Sequence, residues 1–212
     1  MKSQGQARAL DATSTSRPIP IRERQRQQTR DIILEVALAE IAERGLSGVR
    51  IERIARLSGV TRPTVYAHFP TREDFLRELQ ARTEGSALAA LQQRLESNRG
   101  TSLVHALADA LFDILSETKL NLRRESFALM LREPHSERWM SNDLFVYLST
   151  RLAEAQKTGE IPDHHDASEL TRLVMTALFG FIVIEGSDEP ARRADAHNML
   201  DLLIGNTRES RP

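Results

Sequence analysis

Cysteine is absent from this chain of 212 residues, and aromatic side chains make up only 5% of it. Without cysteine the chain forms neither disulfides nor thiolate metal sites. Its longest uncharged apolar run, Leu173 to Ile184, has 12 residues and is too short to cross a bilayer as a helix. The first 20 residues are polar and contain no apolar run of the kind that a secretory signal needs. These absences predict a cytoplasmic protein with no membrane association.

Recognisable catalytic patterns are missing as well. The sequence has no Ser/His/Asp arrangement, no phosphate-binding glycine loop and no paired acids at a recognisable spacing. Residues 163–166, Asp-His-His-Asp, invite a metal interpretation, but consecutive residues rarely converge on one ion. We favour a polar loop in which Asp166 caps the following helix. The sequence therefore predicts no enzyme, no catalytic residue, no metal and no cofactor.

The formal net charge of −1 hides an asymmetry between the two parts of the chain. Residues 1–85 carry 15 Lys and Arg against 11 Asp and Glu, whereas residues 86–212 carry 14 against 19. A positive N-terminal part is what a polyphosphate partner requires, and the modest excess predicts weak binding outside a specific site.

Residues 50–76 predict two short helices joined by a tight turn, the geometry that places a helix in the DNA major groove. Ser58-Gly59 ends the first of these helices, because glycine adopts the left-handed conformation at low cost. Thr61 is a good N-cap for the second helix, and Pro63 fits its first turn. The second helix ends at Pro70, and residues 71–74 resemble a capping box that begins the next helix.

The second helix is predicted to bury Val65 and Phe69 and to expose a polar face. That face could be an ordinary solvated surface, but its place after a tight turn favours DNA contact. Arginine pairs with guanine edges and threonine contacts thymine methyls, whereas Tyr66 and His68 suit phosphate oxygens better. Arginines at 22, 24, 26 and 30 could be a solvated helix start or, as we favour, could touch phosphates or the minor groove. The predicted DNA-binding residues are Arg24, Arg30, Thr61, Arg62, Thr64, Tyr66, His68 and Arg72.

This stretch resembles the DNA-binding domain of the TetR family of transcriptional repressors. The matching residues are Ile54-Ala55, Gly59-Val60-Thr61, Pro63-Thr64-Val65-Tyr66, His68-Phe69 and Arg72-Glu73-Asp74-Phe75-Leu76. The similarity also includes an upstream helix and covers roughly residues 24–80. Three positions depart from the family pattern: Val49-Arg50 stands where Ser or Thr usually caps a helix, Arg72 replaces a common Lys, and Pro63 replaces a more frequent Gly.

Helical periodicity continues to the end of the chain, and no segment alternates as a strand does. We therefore predict an all-α fold of about nine helices, including a long one over about 136–158 and one from Asp166 to Glu185. The expected organisation is a disordered tail (1–20), a helix-turn-helix DNA-binding domain (21–70), and a ligand-sensing and dimerisation domain (71–212).

The resemblance implies a homodimer joined through the last two helices, and it implies a cavity for a small-molecule effector. The run Leu173–Ile184 is apolar on nearly every side and needs cover that a partner chain supplies most simply. Ordinary core is the simplest interpretation of each large apolar residue in this domain, and a ligand cavity is the alternative. The candidates for ligand contact are Phe112, Phe127, Met130, Trp139, Tyr147, Met175 and Phe179.

The sequence thus predicts a transcriptional repressor that leaves a palindromic double-stranded DNA operator when it binds a small apolar or weakly polar ligand. Two alternatives stay open. One is a regulator of the same fold without a small-molecule effector, controlled by a protein or by its own abundance. The other is a helical enzyme with an accessory DNA-binding domain, which the missing catalytic residues disfavour.

Overall fold

The computed structural model describes residues 20–97, 102–132, 137–184 and 188–204, and all regular secondary structure in these ranges is helical. The helices are α1 (Ile21–Gly48), α2 (Ile51–Leu57), α3 (Arg62–His68), α4 (Glu73–Ser97), α5 (Leu103–Ser116), α6 (Leu120–Arg132), α7 (Glu137–Met140), α8 (Asp143–Lys157), α9 (Ala167–Val183) and α10 (Glu189–Leu203). Nine of these have seven residues or more and α7 is a single turn, so the all-α prediction is confirmed. Within the same ranges, no helix has the length and apolar character that spanning a membrane requires. The predicted tail, apart from Pro20, lies outside the described residues.

Two hydrophobic cores lie along the chain. The first joins α1, α2 and α3 to the start of α4 and to α6, and its fully buried members include Ile33, Ile41, Ile54, Val65, Phe69, Phe75 and Leu76. The second joins the rest of α4 to α5, α8, α9 and α10, with Leu91, Leu107, Leu111, Leu148 and Leu178 at its centre. Helix α4 contributes to both cores. The predicted boundary between a DNA-binding domain and a ligand-sensing domain at residue 70 stays a prediction.

Helix α6 packs on the first core through Leu122 and Leu129, and it makes two polar contacts with the end of α1. Asn121 Nδ2 donates to the carbonyl of Ala42 at 2.8 Å, and Glu125 Oε1 accepts from the backbone N–H of Leu46 at 2.8 Å. The second contact sits just after Gly45, whose φ of 68° ends the regular part of α1. A side chain at Gly45 would place its Cβ 2.9 Å from the Glu125 carboxylate, so both φ and space favour glycine there.

The predicted long helix over 136–158 is wrong, because the structure divides it into α7 and α8. The side chain of Asn142 accepts a hydrogen bond from the N–H of Phe145 at 2.7 Å and so caps α8. Asparagine at such a position stabilises a new helix start, and Asp143 adds favourable charge to its first turn. The pair Asn142-Asp143 was the sequence signal for this break. Trp139 therefore belongs to α7, not to the longer helix.

Two other predicted helix starts are confirmed. Asp166 caps α9 by accepting from the N–H groups of Ser168 at 2.8 Å and Glu169 at 3.3 Å. A hydrogen bond from the Ser168 hydroxyl, followed by these two backbone bonds, favours the ionised carboxyl and lowers the pKa of Asp166. At the start of α4, Asp74 accepts from the backbone N–H and hydroxyl of Thr71 at 2.8 and 2.7 Å, which is one half of the expected capping box.

Candidate DNA-binding surface and effector cavity

The turn between α2 and α3 sets the direction of α3. The N–H of Ser58 bonds to the carbonyl of Ile54 at 2.9 Å, and the N–H of Val60 bonds to that of Ala55 at 2.9 Å. Between them Gly59 has a φ of 68°, a conformation that a residue with a side chain rarely adopts. Thr61 then caps α3 by accepting from the N–H of Thr64 at 3.3 Å, as its sequence position predicted.

Helix α3 has a buried face and an exposed face. Val65 and Phe69 are fully buried, and the Phe69 ring packs against Phe75 with 4.7 Å between ring centroids. These anchors fix the helix to the first core. The opposite face carries Arg62 and Tyr66, whose exposed fractions are 60% for the Arg62 side chain and 51% for Tyr66, with Thr64 half-buried between them. A seven-residue helix is thus held firmly on one side while its polar side stays open.

Arg62 forms an ion pair on this face. Its Nη1 donates to Glu52 Oε1 on α2 at 2.8 Å, and both side chains are largely exposed. The pKa of the Glu52 carboxyl is lowered, first by a hydrogen bond with its own backbone N–H and then by Arg62. An exposed pair of this kind contributes little stability, so Arg62 exchanges Glu52 for another partner at small cost.

Arg72 and His68 lie at the two ends of the loop from α3 to α4. Arg72 is exposed and its Nη1 makes only a long contact of 3.4 Å with the carbonyl of Ser47. Burial, followed by the positive charges of Arg26 and Arg30, lowers the pKa of His68. His68 is therefore a neutral imidazole at neutral pH, with one ring N–H to donate.

Arg30 has a structural part that the sequence did not reveal. Its Nη1 donates to the carbonyl of His68, the last residue of α3, and its Nη2 lies 2.7 Å from Glu78 Oε2 on α4. The guanidinium carbon also lies 4.2 Å from the centroid of the Phe69 ring. Arg30 thus joins three helices instead of pointing away from the protein. Arg24, in contrast, lies on the exposed first turns of α1 with Arg22 and Arg26.

A small cavity of about 30 Å³ lies between α4, α5, α6 and α9. Three of the predicted ligand residues line it: Phe127, Met130 and Phe179. Phe112, Tyr147 and Met175 pack in the second core without lining this cavity, and the side chain of Trp139 lies outside the described residues. The sequence analysis missed Arg123 and Ser126, which also line it. The signal was available, because Arg123 stands four residues before Phe127 on one face of α6.

An exposed polar helix anchored by its opposite face after a tight turn, followed by an all-helical domain, defines a helix-turn-helix transcriptional regulator. The family model of the bacterial regulatory proteins of the tetR family matches residues 33–79, which run from the middle of α1 into α4. The HTH-type transcriptional regulator UidR of Escherichia coli (strain K12) is 23% identical over 184 residues, covering 84% of this chain and 92% of UidR. AcrR of Shigella flexneri is 31% identical over 98 residues, 46% of this chain and 45% of AcrR. Residues 33–79 therefore form a domain of the tetR family of bacterial regulatory proteins, and the relative that matches most of the chain is a transcriptional regulator.

Solved structures share this fold over most of the chain. Salmonella enterica GusR is 25% identical and superimposes with a TM-score of 0.57, covering 84% of this chain and 96% of GusR. FadR from Bacillus subtilis, solved in complex with stearoyl-CoA, has a TM-score of 0.62 at 21% identity, and the match covers 84% of this chain and 99% of FadR. The similarity to FadR shows a shared fold.

Proposed function

We propose that this protein is a cytoplasmic homodimeric repressor that binds a palindromic operator and leaves it when a small molecule enters the C-terminal domain. The observation that carries the proposal is the open polar face of α3, fixed from behind by Val65 and Phe69. A helix held in this way keeps its register in the major groove and loses little conformational entropy on binding DNA.

On this proposal, Arg62 and Thr64 read base edges. Arg62 lies on the first turn of α3, where recognition helices contact bases, and its hydrogen-bond partner Glu52 is itself exposed. Thr61, Tyr66, His68 and Arg72 surround that turn and contact phosphates, as does Arg24 on the exposed start of α1. Arg30 is better placed as a positioning residue, since its guanidinium is engaged by His68, Glu78 and Phe69.

The dimer is proposed to form through α9 and α10. Helix α9 buries Val174, Leu178 and Ile182 within its own chain, yet Ile184 at its end is 48% exposed. On α10 the side chain of Leu202 is 70% exposed, although Leu200 beside it is fully buried. Two neighbouring helices thus each have an inner apolar face and further apolar side chains outside it. A second copy covers those side chains and sets two α3 helices at a fixed separation.

The cavity offers a place for an effector. At about 30 Å³ it holds little more than water, so a larger ligand must push the surrounding helices apart. A ligand that binds the widened form better shifts the population toward it, by no more than its difference in affinity for the two forms. FadR shows that a protein of this fold accommodates stearoyl-CoA. A regulator that senses no small molecule is the competing candidate; an enzyme has no support from the relatives, which are regulators.

The test begins with selection of bound sequences from a random DNA pool, followed by titration of the selected operator. Arg62→Ala should weaken operator binding by about 1–3 kcal/mol and relax preference at one position in each half-site. The matched control is Arg151→Ala, because Arg151 and Glu154 form an equally short ion pair of 2.8 Å with similar exposure on α8. Equal losses on operator and random DNA would make Arg62 a phosphate contact, and no enriched sequence at all would refute the proposal.

A further inference from the structure

Helix α6 carries two polar side chains into the wall of the effector cavity, and each has a buried polar atom without a hydrogen-bond partner. Arg123 and Ser126 are three residues apart and therefore share one face of the helix. Arg123 Nε and Ser126 Oγ are buried and make no hydrogen bond. A buried donor without a partner is costly and uncommon in a native protein. Two of them together on one cavity wall indicate that something else accepts their hydrogen bonds.

The remaining contacts of Arg123 leave one edge of its guanidinium open. Its Nη1 donates to the carbonyl of Ile182 near the end of α9, at 2.8 Å. Nε and Nη2 point along the other edge, which has the fork geometry that a carboxylate accepts side on. No carboxylate of the described residues forms an ion pair with Arg123; the nearest charges that act on it include Arg192, Glu189 and Arg124. Burial, followed by Arg192, lowers the pKa of Arg123, which still leaves the guanidinium charged at neutral pH.

The rest of the cavity wall is mostly apolar. Leu79 of α4, Leu115 of α5, Phe127 and Met130 of α6, and Phe179 of α9 surround the space. A ligand that satisfies this wall has an apolar body and one acceptor group at the end that meets α6. A neutral hydrocarbon would leave both donors unpaired, and a phosphate ester with a large polar body would leave the apolar wall uncovered.

We propose that the effector is a small amphipathic carboxylate, held by a bidentate bond from Arg123 and a hydroxyl hydrogen bond from Ser126, with its apolar body between Phe127 and Phe179. This inference deepens the proposed function. The regulatory role of the ligand rests on that function, whereas the binding site itself does not. It also refines the sequence prediction of an apolar or weakly polar ligand, since the body stays apolar and one charge is added.

Two other interpretations compete with the carboxylate. Arg123 could serve only to satisfy the last carbonyls of α9, as Arg192 does by donating to the carbonyl of Ile184 at 2.7 Å. Arg192 Nε is likewise buried without a partner, but Arg192 does not line this cavity. Arg192→Gln is therefore the matched control. The second competitor is a cationic ligand, because Glu84 of α4 also lines the cavity and takes part in another interaction.

The experiment measures the affinity of the full-length protein for three probes of one chain length: octanoate, 1-octanol and octylamine. Isothermal titration at pH 7.5 is compared for wild type, Arg123→Gln, Arg123→Lys, Ser126→Ala and Arg192→Gln, with a melting curve for each to establish folding. We expect wild type to bind octanoate about tenfold or more tightly than octanol, since a charge-assisted fork is lost with the alcohol. Arg123→Gln should lose that preference, Arg123→Lys should keep part of it, and Arg192→Gln should keep all of it.

Equal binding of octanoate and octanol by wild type would overturn the proposal, as would a preference for octylamine, which would assign the polar end to Glu84. A preference that survives in Arg123→Gln would refute the role of Arg123. Operator binding without any probe is measured on the same proteins. If wild type binds its operator but shows no carboxylate preference, only the ligand class is wrong; if it binds no operator, the proposed function fails independently.

Discussion

Arg30 provides the clearest prediction, because its position in the structure and its first interpretation from sequence lead to opposite results. As a phosphate contact it would contribute to DNA affinity and little to stability. As the structure has it, Arg30 joins α1 to the last carbonyl of α3 and to Glu78 on α4. Arg30→Met keeps most of the side-chain stem and removes the charge and all hydrogen-bond donors.

The expected loss of stability follows from three contacts. A hydrogen bond from a charged donor to a carbonyl contributes about 1.5–3 kcal/mol. The ion pair with Glu78 is partly exposed, at 29% and 22%, and adds about 0.5 kcal/mol. The guanidinium over the Phe69 ring adds about 0.5–1 kcal/mol. Since one side chain makes all three contacts, they do not add fully, and we expect a total of about 2–3 kcal/mol.

For a protein of this size such a loss lowers Tm by roughly 5–10 °C. The assay combines thermal unfolding with operator titration over a series of salt concentrations. Arg30→Met should lower Tm and weaken operator binding, because the end of α3 loosens, while the slope of log affinity against log salt stays unchanged. Glu78→Gln should lower the free energy of unfolding by about 1 kcal/mol, because it breaks the ion pair and leaves the hydrogen bond from Arg30 to His68 in place. Arg82 also contacts Glu78, at 3.1 Å, and shares in that loss.

A phosphate contact gives the reverse pattern. Each phosphate contact removed lowers the salt slope by about 0.9, so a dimer would show a change of about two. An unchanged Tm in Arg30→Met together with a shallower salt slope would refute the structural role and restore the interpretation from sequence.

Three further predictions concern other parts of the molecule. Arg72→Ala should weaken operator and random DNA alike and make the salt slope shallower by about one charge per half-site, with Tm unchanged. Leu202→Glu should yield a folded monomer in sedimentation, whereas Leu131→Glu, which places the same charge at another exposed leucine on α6, should leave a dimer. Glu40 is buried, and hydrogen bonding from Arg53 lowers its pKa, so its stabilisation is complete above about pH 4.5 and is lost as the pH falls through the lowered pKa. Glu40→Gln should therefore flatten the fall in unfolding free energy below pH 4.5, and an unchanged acid profile would contradict the assignment.

The sequence predicted best where chemistry is local. Gly59, Thr61 and the alternation of Val65 with exposed neighbours determine α3 within a dozen residues, and the structure has the same turn and cap. It failed at Asn142, because helical periodicity on both sides outweighed a single capping residue. The contacts of Arg30 within the protein could not be predicted, for a different reason. Its partner Glu78 is 48 positions away, and no local pattern indicates which of several arginines will turn inward. The same applies to Arg123, whose bond to Ile182 spans 59 positions.

These distant contacts connect the cavity walls to α3, and they suggest a route by which ligand binding would affect α3. Leu79 and Gln80 of α4 line the cavity, and the residue before them, Glu78, holds Arg30 and through it the end of α3. Across the cavity, α6 is tied to α4 because Gln80 Nε2 donates to the carbonyl of Ser126 at 2.9 Å.

Glu125 of the same helix holds the N–H of Leu46, just before the segment that leads into α2. If an effector enlarges this space of about 30 Å³, as we propose, it must displace the helices around it, which include α4 and α6, because close-packed walls do not stretch. A movement of either helix would disturb a contact that positions the helix-turn-helix unit: the contact of Glu78 with Arg30 for α4, and that of Glu125 with Leu46 for α6. On the proposed function, coupling would need no contact between the ligand and α3, and its strength would be limited by the free energy that the Arg30 and Glu125 contacts contribute.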